Sequence, residues 1–148
     1  MNRTIISVYG KANQGKSETI KKVCSLLLET YPDASPSISN IDYSGDIFLT
    51  ITIGNVKIGL ESQGDPNSRM IHDNTVERLA KDNCDIIVCA TRTGGMTVKE
   101  VDRVANIYDY HTIWHSSLWS PSLNFNVLNR QGAENIISLI KSLITQQL

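Results

Sequence analysis

The segment Gly10-Lys11-Ala12-Asn13-Gln14-Gly15-Lys16-Ser17 matches the spacing G-x-x-x-x-G-K-S/T. The chemistry that suits this spacing is the grip of a polyphosphate. Its glycines let the backbone turn tightly and approach an anion closely. Successive N–H groups then surround phosphate oxygens, reinforced by the N-terminus of a helix beginning near Lys16. Lys16 supplies a compact positive charge for the β- and γ-phosphates, and the Ser17 hydroxyl supplies a ligand for Mg²⁺. Thr19, in the first turn of that helix, joins the set of nucleotide contacts. A second polar segment, Thr91-Arg92-Thr93-Gly94-Gly95-Met96-Thr97, follows the apolar run 85–90. Ligands bind beyond the carboxyl ends of strands in open α/β sheets. Arg92 there either pairs with a phosphate or a second substrate's anion, or lies solvated on a surface turn. Trp114 and Trp119 either flank a base by stacking or belong to the core. His72, His111 and His115 have no metal-ligand spacing with cysteine or with each other.

These groups need elements to position them. The chain has 148 residues, 41% hydrophobic and 20% charged, with a formal net charge of −1. That is one domain, residues 1–148, able to bury roughly 68–70% of the surface its unfolded form exposes. The balance excludes disordered, collagen-like and coiled-coil classes. No apolar run approaches the roughly 18–20 residues needed to cross a bilayer, and the N-terminus does not read as a signal peptide. Near-neutral charge gives no indication of nucleic-acid binding. Cys24, Cys84 and Cys89 read as buried small hydrophobes in a reducing, cytoplasmic setting.

A strand is expected at Thr4–Tyr9 and a helix at Lys16–Thr30, where Ile20, Val23, Cys24, Leu27 and Leu28 form a core-facing stripe. A Pro/Ser-rich loop spans 31–40. The runs 47–53 and Val56–Glu61 flank Gly54-Asn55 as an antiparallel hairpin. A helix is expected over 68–81, a strand buried on both faces over 85–90, and a helix opened by the capping box Thr97-Val98-Lys99-Glu100. A strand at 111–115, an aperiodic segment 116–128 and a helix over 132–146 complete the chain. The alternation predicts an α/β fold in three layers: a mostly parallel sheet, covered on both faces, with one antiparallel strand from the hairpin.

With the loop 10–17 placed between a strand and an amphipathic helix, the chain resembles the P-loop NTPases. The hairpin before the second helix is similar in element order to the small Ras-like GTPases. The resemblance implies a second group for the metal, an acid ending a buried strand next to the first one. In the GTPases that place holds D-x-x-G, whose acid touches Mg²⁺ through water and whose glycine N–H senses the γ-phosphate. The matching residues here are Glu61-Ser62-Gln63-Gly64. Glu61 would reach Mg²⁺ through a different water or polarise the attacking one. Asp65 is a rival metal contact, and Gln63 can orient water. Asn13 and the polar loop 31–45 would serve near the phosphates as the first switch region does.

Guanine-reading GTPases carry N-K-x-D after a later strand, and no such motif occurs in this chain, where Ser116-Ser117-Leu118-Trp119 stands in its place. ATP, or another nucleoside triphosphate, with Mg²⁺ is therefore the expected ligand, and a hydrolase the expected activity. A small-molecule or nucleotide kinase and a non-catalytic module that signals occupancy to a protein partner are the alternatives.

Overall fold

The computed structural model describes residues 1–64 and 69–148. Strands β1 (Thr4–Tyr9), β2 (Ser35–Pro36), β3 (Phe48–Ile53), β4 (Val56–Glu61), β5 (Ile86–Thr91) and β6 (His111–Ser116) form one sheet in the order β2-β3-β4-β5-β1-β6. β1 runs parallel to β5 and β6, and β4 parallel to β5, whereas β3 is antiparallel to both β4 and β2. The helices are α1 (Lys16–Thr30), α2 (Arg69–His72), α3 (Thr75–Lys81), α4 (Met96–Tyr108) and α5 (Phe125–Ile144). The protein is thus α/β, with a mostly parallel sheet between helical layers.

The alternation of side chains along each strand sorts the core into two halves. Ile6, Val8, Ile58, Leu60, Val88 and Ala90 pack under α1 and α5 with Ile20, Val23, Leu27, Ile136 and Ile140. Ile5, Ile87 and Cys89 face the other way, against Met70 of α2, Val76 and Leu79 of α3, and Val101 and Val104 of α4. The three cysteines are buried free thiols, and burial pushes Cys84 and Cys89 up to about 12. Among the described residues no helix is long and apolar enough to cross a membrane.

Four elements depart from the sequence expectation. The helix expected over 68–81 is two helices, because Asn74 adopts left-handed φ 52°, a conformation asparagine tolerates, and breaks the run between His72 and Thr75; residue 68 lies outside the described residues. The capping box at Thr97 does not form. α4 starts one residue earlier, behind Gly95, and the Thr97 hydroxyl instead accepts from the Arg92 N–H at 3.0 Å. α5 begins at Phe125, well before 132, capped by the Asn124 side chain, which accepts from Asn126 N at 2.9 Å and Val127 N at 3.2 Å. Its first turn exposes Phe125 and Val127, so no buried stripe announces it. Within the loop 31–40, Ser35–Pro36 pairs with β3.

One difference bears on the site. The acid-bearing strand β4 is not next to β1, since β5 lies between them.

Candidate nucleotide-binding cleft

The loop 10–17 joins the carboxyl end of β1 to the first turn of α1. Gly10 N–H extends the sheet by donating to Thr91 O at 3.2 Å. The loop then coils on itself: Gln14 Oε1 accepts from Lys11 N at 3.0 Å, and Asn13 is left-handed at φ 61°. Gly15 caps α1 at φ 82°, a region L side chains rarely adopt, and a Cβ there would lie 2.3 Å from Asn129 Oδ1 of α5. The backbone turn calls for glycine at this position, and a larger residue would also have to displace the Asn129 amide of α5. The Lys16 ammonium folds back over the loop and donates to Gly10 O at 2.8 Å from a largely buried position.

The Ser17 hydroxyl donates to Asp46 Oδ1 at 2.7 Å. The same oxygen accepts from the Ser62 hydroxyl at 2.8 Å, and Ser62 Oγ in turn accepts from Ile47 N at 2.8 Å. One carboxylate oxygen therefore ties α1 to the open end of the β3–β4 hairpin. Sequence reasoning missed Asp46, which stands one residue beyond the loop 31–45 assigned to the phosphate side. The signal was present in the hairpin: a two-residue turn at Gly54-Asn55 sets Phe48 opposite Glu61, which places Asp46 beside Ser62-Gln63.

A cleft of about 600 Å³ opens over these groups. Asn13, Gln14, Gly15, Lys16, Ser17 and Glu18 form one wall, with Asp46, Ser62, Gln63 and Gly64 beside them. The rest of the lining forms a largely apolar lip, Leu118, Trp119, Ser120, Pro121, Leu123 and Phe125, together with Asn129. Trp119 is 50% exposed along this lip, whereas Trp114 stands on β6 away from it. A lining that joins the polar residues of the loop to aromatic ones suits a ligand with an anionic tail and a planar head.

The other expected residues are placed as follows. Gly10, Lys11 and Ala12 belong to the loop but do not line the cleft. Thr19 is buried, its methyl near Gly132 of α5. Arg92 follows β5 outside the cleft wall. Asp65 lies outside the described residues. Gln63 faces the cleft, but its Oε1 accepts from Arg69 N and Nε at 3.4 and 3.3 Å. Gly64 passes so close over the end of β5 that a Cβ would sit 2.6 Å from the Ala90 backbone.

Glu61 is fully buried on the face opposite α1. The strand alternation decides this: Leu60 points under α1, so Glu61 points toward α2 and α3. Its Oε1 accepts from Gln63 N at 3.0 Å and lies 3.5 Å from the Arg69 guanidinium, while Oε2 has no hydrogen-bond partner among the described residues. Loss of water raises the Glu61 carboxyl above its ordinary value, outweighing the Gln63 N–H and Arg69, which lower it. An acid held above its unfolded pKa binds its proton more tightly in the native state, so its contribution to stability falls as pH rises from the ordinary carboxylate value of 4.5 through the raised one. Glu61→Gln is therefore expected to be more stable than the wild type at neutral pH, with the gain shrinking toward acid. Urea unfolding of both proteins across that range measures it, and an equal or lower stability of the variant at pH 7 would contradict the burial argument.

Among the described residues no cluster of three or more His, Cys, Asp or Glu side chains could hold a metal alone. No protein-family model matches the chain, and no curated protein or solved structure matches it.

Proposed function

We propose that the protein binds a nucleoside triphosphate with Mg²⁺ in the cleft above loop 10–17 and hydrolyses it, with ATP as the default substrate and the fold a variant of the three-layer P-loop arrangement. The observation that carries this reading is the strand–loop–helix unit. It sets a left-handed Gly15, a folded-back Lys16 and the Ser17 hydroxyl at the mouth of one cleft. The phosphates would take the loop N–H groups and the Lys16 ammonium. Ser17 and Asp46 offer a hydroxyl and a carboxylate, the hard oxygen ligands Mg²⁺ takes alongside phosphate and water. When bound, the ion would supply charge neutralisation across the terminal phosphates.

A second reading, a binding module without turnover, is favoured by one observation. Neither group expected to handle the attacking water is free for it in this arrangement: Glu61 faces the other side of the sheet, and Gln63 is engaged with Arg69. Phosphate release under saturating ATP separates the two readings. Melting shifts with ATP, GTP, their diphosphates and Mg²⁺ test the binding both share; no shift with any of them would remove the proposal.

The lip sets an expectation for the base. Trp119 and Phe125 offer apolar faces, and the described residues that share their lip, Leu118, Ser120, Pro121 and Leu123, include no carboxylate or lysine to read a guanine edge. Stacking is tolerant of base identity. Competition binding should find ATP and GTP well within roughly a thousandfold of each other; a GTP preference beyond that requires a buried polar reader of guanine.

A further inference from the structure

The two edges of the sheet are built differently. The β2 edge is two residues long and contains Pro36, which has no N–H to offer a neighbour. Short length and proline are the devices that keep an edge from pairing. The β6 edge has neither. It runs for six residues, His111-Thr112-Ile113-Trp114-His115-Ser116, without proline, lysine, arginine or a carboxylate. Among the described residues β6 pairs only with β1.

Its outward groups can be assigned. His111 N donates to Arg3 O and Ser117 N to Tyr9 O, so the odd-numbered residues direct their backbone groups at β1. Alternation then turns the N–H and C=O of Thr112, Trp114 and Ser116 outward, where no strand among the described residues meets them. Trp114 lies opposite Ser7 in the ladder, on the α4 side of the sheet, and is 40% exposed.

We propose that β6 is a self-pairing edge, along which two copies of the chain join antiparallel about a two-fold axis at Trp114 to make one continuous sheet. A two-fold axis perpendicular to the sheet keeps every side chain on its own face, so only residues of like alternation meet. With Thr112, Trp114 and Ser116 carrying the outward groups, Trp114 falls opposite Trp114 of the other copy, and Thr112 opposite Ser116. Every outward N–H and C=O of the three residues then finds its mate, and the two indoles lie side by side on one face. A second copy fits better than a foreign strand because the strand carries no fixed charge to select one and none to repel its own kind. The inference stands independently of what the cleft binds.

Sedimentation velocity of the full chain over a range of concentrations should give twice the monomer mass, and amide exchange at Thr112, Trp114 and Ser116 should slow as the dimer forms. Trp114→Lys places like charges face to face and should return the monomer, with circular dichroism and melting showing that the fold is kept. Mixing Trp114→Lys with Trp114→Glu should restore the dimer, an outcome that misfolding of either variant cannot produce. A wild type that stays monomeric at the highest soluble concentration overturns the proposal. So does a dimer that survives Trp114→Lys, or one in which those three amides exchange as fast as in the monomer.

Discussion

Replacing Lys16 with alanine is expected to abolish measurable triphosphate binding while leaving the fold in place. Of the two lysines in the loop, Lys11 and Lys16, it is the Lys16 ammonium that lies over the loop, against Gly10 O, at the cleft lining. Hydrogen bonds to a charged group contribute about 1.5–3 kcal/mol each, so losing two to phosphate oxygens weakens binding by roughly three orders of magnitude. The fold should tolerate the change because the side chain packs within the loop and belongs to neither apolar half of the core. Titration with ATP and Mg²⁺, together with phosphate release, reads the effect; circular dichroism and melting without ligand read the fold. Equal affinity in the two proteins would show that the loop does not hold phosphate.

The second large effect is expected at Asp46. Asn keeps an oxygen to accept from Ser17 and Ser62 but removes the charge. Asp46→Asn should therefore leave stability and metal-free nucleotide binding close to wild type while most of the gain from Mg²⁺ disappears. A tenfold or greater loss in that gain is about 1.4 kcal/mol, a modest share of a carboxylate–cation contact. The comparison variant is Asp65→Asn. If Asp65 is the second contact, its substitution and not that of Asp46 will flatten the Mg²⁺ dependence, and calorimetric titration with and without the metal distinguishes them.

Much of this arrangement was legible in the residues. The stripe Ile20, Val23, Cys24, Leu27 gave α1 because those positions lie on one face and that face is buried. The loop 10–17 was legible because each type in it answers a local backbone or charge demand. What escaped was set by distance. Asp46 contributes through register, and its role appears only when the hairpin is laid out residue against residue. The insertion of β5 between β1 and β4 was hidden because parallel strands leave no turn to fix their neighbours. The early start of α5 escaped because its first turn serves the cleft: Phe125 borders the lip and Val127 faces water, so the periodicity of burial that marks a helix is missing there. Glu61 was recognised as an acid at a strand end, but which face it takes depends on the alternation of its neighbours, and Leu60 under α1 decides it.

The close passage of Gly64 over Ala90 makes these two positions, in different elements, a single joint of fixed clearance. The loop that carries Ser62 and Gln63 to the cleft must cross the end of the intervening strand, and the height of that crossing is set by two of the smallest side chains available. Bulk added at position 90, in a strand outside the lining of the cleft, would lift the crossing loop as surely as bulk at position 64. Substitutions at the two sites are therefore coupled, and a position that looks like ordinary core filling acts as a shim under one wall of the cleft.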